Sequence, residues 1–202
     1  MTGQSPIVYP GRMSRWEPQA RERLVRAAVE LFDEHGYDST TVVQIAQRAG
    51  LTKSTFFRHF PDKREVLFAG QDVLCELLAG GIDAAPDEAT PLSAVAAGLE
   101  AAAGNFTPEL HAIGPALRAV VESNSDLRER EALKHHSFAD AMTLALRRRG
   151  IADPAAGLAA WLGVLAFTDA YACWIDPACD QELTALLRLK LRELRAAISS
   201  LD

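Results

Sequence analysis

Apolar residues in this chain return every third or fourth position, and no stretch of useful length alternates apolar with polar. That period builds helices and leaves nothing for a sheet. From Glu17 onward, Leu24, Ala27, Ala28, Leu31 and Phe32 fall on one helical stripe, and Gly36 stops it. Thr41 stands three residues before Gln44, a capping-box spacing, and opens a short helix through Ile45, Ala46 and Ala49 that Gly50 ends. Thr52 caps a third helix running to about His59. Asp62, with Glu65 at the matching third position, caps a fourth that carries Val66, Leu67, Leu74, Leu77 and Leu78 toward Gly80-Gly81. Farther on, an alanine-rich helix spans 92–104, and Thr107-Pro108 starts another to about Ser123, with a kink expected at Gly114-Pro115. Asp126 with Glu129 opens a helix ending at Arg147, Arg148 and Arg149, where cations complement the helix dipole. Asp153-Pro154 begins an apolar helix to about Trp174, and the last helix runs from about Gln181 to Ser199. The fold class is all-α, with about nine helices and no internal repeat.

Residues 80–91 are rich in Gly, Pro and acids and read as a domain seam, although a linker between packed helices has the same composition. The expected layout is a flexible arm over 1–15, a three-helix unit over 16–62, a connecting helix 4 over 63–80 and a second helical domain over 81–202. With 202 residues, 49% of them hydrophobic, the chain has enough apolar material to build such cores. Cys75, Cys173 and Cys179 are odd in number and lack zinc-type spacing, which points to a reducing compartment. The first residues lack the continuous apolar run of a signal peptide, so the expected location is the cytoplasm. The run "AAGLAAWLGVLAFTDAYACWI" has the length of a membrane span, but Asp153 precedes it and Asp169 interrupts it. It reads as a buried helix, and no membrane partner is expected.

Two short helices joined at Ala49-Gly50-Leu51 make a helix-turn-helix spacing. Such a unit offers the first half of its second helix to the major groove of DNA. Thr52, Lys53, Ser54 and Thr55 occupy that first turn, where free backbone N–H groups and the positive dipole end also point. Phe56 and Phe60 lie four residues apart and face inward, Phe57 sits on the neighbouring face, and Arg58, His59 and Lys63 fall where phosphates would pass. Between residues 40 and 65, five cations stand against two carboxylates, a local excess of +3 in a chain whose net charge is −6. A small cationic island on an acidic body suits local contact with a polyanion. Period and caps alone also allow an ordinary corner with solvated charges.

Residues of about 20–66, "LVRAAVELFDEHGYDSTTVVQIAQRAGLTKSTFFRHFPDKREVL" among them, resemble the tetracycline-repressor-like (TetR) family of bacterial regulators. The resemblance rests on Gly36-Tyr37, on Thr40-Thr41 before the second helix, on Ile45-Ala46 and Ala49-Gly50, and on Phe57, Phe60 and Lys63 at the close. It implies a DNA-binding regulator, not an enzyme, that contacts double-stranded DNA through Thr41, Thr52, Lys53, Ser54, Thr55, Phe57, Arg58, His59 and Lys63. The family more often has tyrosine where Phe57 stands; without that hydroxyl, His59 is expected to take more of the phosphate contact.

The resemblance further implies a homodimeric repressor that leaves a near-palindromic operator when a small, largely apolar effector enters the C-terminal domain. The helices over about 154–175 and 181–199 would form the dimer interface, with Ala156, Gly157, Ala160 and Gly163 permitting close approach and Leu183, Leu187, Leu191 and Leu194 forming a stripe. A monomer core would show similar stripes. Effector-contact candidates are Phe106, His111, Phe138, Met142, Trp161, Phe167, Tyr171 and Trp174, because a cavity wants mostly apolar walls and a few polar groups. Aromatic residues at helical spacing are also ordinary core. Asp169 reaches a pocket or interface, or else faces water. No metal is expected at His135-His136, whose side chains point about 100° apart on a helix. Cys173 and Cys179 lack a basic neighbour that would favour redox chemistry. No Glu-x-x-His pair, nucleophile elbow or phosphate loop is present, so neither catalysis nor a cofactor is expected. A module that uses the corner to bind protein is the alternative reading.

Overall fold

The computed structural model describes residues 17–200, and the expected arm over 1–15 lies outside them. Every regular element among the described residues is helical: α1 Glu17–His35, α2 Val42–Arg48, α3 Lys53–His59, a 3-10 turn Glu65–Phe68, α4 Gln71–Asp83, α5 Pro91–Ala103, α6 Pro108–Ser123, α7 Ser125–Arg148, α8 Asp153–Trp174 and α9 Leu183–Ser199. The caps expected for α2, α3 and α6 form: Thr41, Thr52 and Thr107 each accept a hydrogen bond from the backbone N–H three residues on. α7 is capped by Asn124 rather than Asp126, its side chain accepting from the N–H groups of Asp126 and Leu127.

The fourth helix differs most from expectation. The Asp62 carboxylate accepts from the N–H groups of Arg64 and Glu65 at 2.8 and 3.0 Å, as a cap should. What it starts is a single 3-10 turn, and Gly70, with φ +88°, breaks the chain before α4 begins at Gln71. Val66, Leu67 and Phe68 are consecutive and all buried, a demand that one helix stripe cannot meet. At the other end, α4 runs through Gly80-Gly81 to Asp83, and Gly81 marks a crossing with α5 instead of a stop. A Cβ on Gly81 would lie 2.7 Å from the Ala97 carbonyl oxygen, and one on Gly98 would lie 2.6 Å from that of Leu78.

Buried apolar side chains form two clusters. One gathers α1, α2, α3 and the 3-10 turn around Leu24, Phe32, Ile45, Phe56 and Val66, and takes in Val120, Val121 and Leu127 from α6 and α7. The other gathers α4, α5, α7, α8 and α9 around Ile82, Leu99, Phe138, Met142, Phe167 and Leu187. The chain passes from one to the other at Gly70; residues 84–90 form a turn between packed helices. Arg149 holds that turn by donating to the carbonyls of Ile82, Asp83, Ala85 and Pro86, and Arg148 pairs with Asp83.

Candidate nucleic-acid interface and adjoining cavity

The corner after α2 is a Schellman motif: Leu51 N–H donates to the Ala46 carbonyl at 2.8 Å and Gly50 N–H to that of Gln47 at 2.9 Å. Gly50 takes φ +65°, a left-handed conformation that is open to glycine without strain. Arg23 of α1 donates to the carbonyl of Ala49 and ties the corner to the first helix. On α3, Phe56 and Phe60 are 0% and 2% exposed and clamp that helix inward, as their spacing predicts.

The outward edge of α3 carries Thr52, Lys53, Ser54, Phe57 and Arg58, all exposed. Phe57 is 47% exposed, stands edge-on to Phe56, and has Lys53 Nζ 5.8 Å above its ring. Thr55 is half-buried, and its hydroxyl is paired with that of Thr52 at 2.9 Å. Thr41 is exposed, its hydroxyl engaged with Gln44 in the capping box.

Two expected phosphate contacts are placed differently. Lys63 Nζ donates to the carbonyls of Tyr37, Asp38 and Thr40 at 2.7, 3.4 and 3.1 Å, and lies 4.2 Å above the Tyr37 ring. An ammonium has three donors, so Lys63 staples the turn before α2 and has none left for DNA. His59 is half-buried with Nε2 covered and without a partner among the described residues, so that nitrogen does not reach a phosphate from here. Arg48, counted in the cationic island, is paired with Glu34 at 2.7 Å and Glu30 at 3.4 Å, which leaves the island carried mainly by Lys53 and Arg58. The Arg48 guanidinium holds the Glu34 carboxyl below its ordinary range.

The 3-10 turn after α3 is held by an α7 residue that the sequence reading missed. Arg130 donates to both carboxylate oxygens of Glu65 at 2.6 and 2.7 Å and to Gln71 at 2.8 Å, with its guanidinium 4.7 Å above the Phe68 ring. The bidentate pair pushes the arginine pKa up, and it joins the segment between α3 and α4 to the C-terminal cluster.

A cavity of about 230 Å³ adjoins this joint. Leu67, Phe68, Ala69, Gln71 and Leu74 form one side, and Phe106, Phe138, Phe167 and Tyr171 line it as well. Phe167 stacks on Tyr171 at 6.0 Å and 13°, and Phe138 meets Phe167 edge-on at 5.8 Å. Burial pushes the Tyr171 phenol up to about 12, so it stays protonated at neutral pH. Glu131, Lys134 and His135 of α7 complete the polar part of the wall, with Arg118 and Glu122 of α6 paired to each other at 2.6 Å.

Four of the expected wall residues lie elsewhere. Met142 is fully buried core against Gly163. His111 is a satisfied histidine: Nε2 lies 2.9 Å from the Trp174 carbonyl oxygen, and its ring stands on the Trp174 indole. Trp174 packs behind the wall, edge-on to Phe106. Trp161 lies on the outer face of α8, 45% exposed, against His136. Among the described residues, no group of three or more His, Cys, Asp and Glu has a metal-binding arrangement, and the three cysteines are free.

Most residues of the stripes expected at a dimer interface pack inside the protomer, whereas Leu194 is half-buried and Gly157 is half-exposed with open space where a Cβ would stand. Ala156, Ala160 and Gly163 are buried, a Cβ on Gly163 would fall 2.6 Å from Val95, and Leu183, Leu187 and Leu191 belong to the C-terminal cluster. The small residues therefore let α8 approach α5 and α7. The outer face of α8 remains apolar instead, with Leu158 and Leu165 58% and 46% exposed beside Trp161, while Asp169 faces water at its far end. The buried helix expected over this run is thus buried on one side in the protomer and exposed on the other.

Residues 24–69 match the family model described as "Bacterial regulatory proteins, tetR family". The chain is 35% identical over 109 residues to the HTH-type transcriptional regulator TcmR of Streptomyces glaucescens; the match takes in 54% of this chain and 48% of that one, about half of each. Among solved structures, SmeT in complex with triclosan aligns with TM-score 0.56 and 25% identity, covering 88% of this chain and 90% of that one. FadR of Bacillus subtilis in complex with stearoyl-CoA aligns with TM-score 0.58 and 19% identity, covering 86% and 96%, a likeness of fold. By this match residues 24–69 form an N-terminal domain of the tetR type, and the all-helical fold is one that the chain shares with SmeT and FadR.

Proposed function

We propose that the protein represses transcription by seating the first turn of α3 in the major groove of a near-palindromic operator, and leaves it when a small effector fills the cavity. The observation that carries this reading is the exposed edge of Thr52, Lys53, Ser54, Phe57 and Arg58 on a helix clamped from behind by Phe56 and Phe60. Short hydroxyls reach base edges without holding the helix away from the groove, and the two cations meet phosphates on either side. Phe57 lies against sugar or a thymine methyl.

The position of the cavity supports release by a ligand. Its wall includes Leu67 to Ala69 and Gln71, the stretch around the Gly70 break, so a ligand there touches the connection to α3 directly. Such a ligand shifts the protein only if it binds the DNA-incompetent arrangement more tightly. SmeT forms a complex with triclosan, which supports a small aromatic ligand for a protein of this fold. Leu158, Trp161 and Leu165 supply the self-complementary apolar face that a two-fold dimer needs. A two-fold dimer of this kind places its recognition helices about 34–36 Å apart, or more for longer operators.

Selection from a random duplex pool tests this. The expected result is one enriched sequence with two inverted half-sites, bound by a dimer of the full chain; a pool that stays random, or a monomer as the binding species, rejects it.

A further inference from the structure

Two charged residues stand where the apolar stripe of α7 should continue. Leu127, Phe138, Met142 and Ala145 mark that stripe at helical spacing, and Glu131 and Lys134 occupy its intervening places. Glu131 reaches water at the rim, with 37% of its side chain exposed; Lys134 does not escape as easily, with 21%. The closest carboxylate to Lys134 Nζ is that of Glu131 at 3.6 Å, beyond hydrogen-bond range, and Nζ otherwise lies 5.6 Å from the centre of the Phe68 ring. Burial pushes the lysine pKa down against the nearby Glu131 carboxylate that raises it, so the ammonium is partly desolvated and only loosely paired. Folding alone gives no reason to keep such a group, because an apolar residue of similar length would fill the place at less cost.

The neighbouring wall narrows the missing partner. Phe138 stands one helical turn from Lys134, about 6 Å along the axis, and continues through Phe167 into the stacked Tyr171 ring. The other cation of the wall, Arg118, is already closed on Glu122 at 2.6 Å. A cavity of about 230 Å³ is smaller than a typical drug-sized site of roughly 300–1,000 Å³, which favours a body of one or two rings.

We infer that Lys134 anchors the acidic group of the effector, and that the effector is a small aromatic acid whose ring lies along Phe138 and Phe167. This rests on the reading of the cavity as the effector site. It also places the effector's charge beside Phe68, the ring that Arg130 also contacts, so that binding acts on the joint between α3 and α4.

The test is calorimetric titration of the full chain with 2-naphthylacetate and with its primary amide, on wild type, Lys134→Met and Lys134→Gln, together with melting of each ligand-free protein. Wild type is expected to bind the acid about tenfold or more tighter than the amide, the scale of one charge-assisted hydrogen bond. Lys134→Met should lose that preference, keep its affinity for the amide, and melt above wild type because the desolvated charge is gone; Lys134→Gln should lose the preference as well. Equal binding of acid and amide by wild type, or acid binding unchanged in both variants, overturns the anchor and leaves the cavity standing as an effector site. Binding of neither probe up to millimolar concentration overturns both.

Discussion

Around α3, the chain closes several donors on backbone carbonyls, with His59 Nε2 left covered and unpartnered among the described residues. The Thr40 hydroxyl donates to the carbonyls of Leu31 and Gly36, Lys63 covers three more, and Arg23 holds the corner carbonyl of Ala49. Around Phe138 the arrangement is the opposite: about 230 Å³ is unfilled, and an ammonium borders it without a hydrogen-bonded partner among the described residues. The first region holds a rigid edge in one geometry, as direct readout of base edges requires. The second region leaves room beside a loosely paired charge, which gives a ligand something to change.

The largest expected effect tests that contrast through two phenylalanines. Phe56→Ala should cost about 3–5 kcal/mol in urea denaturation, since the ring is fully enclosed. Phe138→Ala should fall at or below the low end of that range, because one side of its ring already faces the cavity. A larger loss at Phe138 breaks the comparison.

Next in size is the link between the regions. Arg130→Met keeps the stem over Phe68 but frees Glu65, and should cost about 1.5–3 kcal/mol, the range for a charged hydrogen bond. It should also leave effector binding intact while weakening effector-driven release of DNA, measured by fluorescence anisotropy of a labelled operator. Unchanged release would place the communication elsewhere.

Gly50→Ala follows, at about 1–2 kcal/mol for a Cβ in left-handed backbone. The new methyl also meets Arg23 Nη2 at 2.7 Å, a flexible end that can swing aside, so DNA affinity should fall along with stability. A variant as stable as wild type would show that the corner is not fixed by this residue.

The smallest effect concerns pH. Because Glu34 is held below its ordinary range when folded, its pair with Arg48 stabilises the protein above the unfolded carboxylate value of about 4.3 and is lost as pH falls through the lowered one. The melting difference between wild type and Glu34→Gln should therefore be small at pH 7 and shrink further in acid. A difference that grows in acid contradicts the sign.

The N-terminal unit was legible because its signals are local. Thr41 with Gln44, Gly50 and Thr52 punctuate two short helices, and the spacing of Phe56 and Phe60 sets which side is buried. The misplacements arise where one residue type serves two ends. Gly80-Gly81 look like a stop but lie within α4, with Gly81 at a helix crossing, and Lys63 looks like a free cation but caps carbonyls across the chain. Apolar residues of the wall and of the core have the same spacing, so Phe167 and Met142 could not be told apart from sequence. Lys134 did leave a trace, a charge on the apolar stripe of α7, whereas Arg130 pairs with Glu65 across 65 residues, a distance no local pattern spans.

The exposed edge of α3 is tested most directly by titrating the selected operator at several salt concentrations with wild type and with Lys53→Ala/Arg58→Ala. Two lost phosphate contacts per protomer should weaken binding strongly and flatten the slope of log affinity against log salt by about one unit per removed cation, with the fold intact by circular dichroism. An unchanged slope in a folded double variant would mean that α3 does not face the DNA.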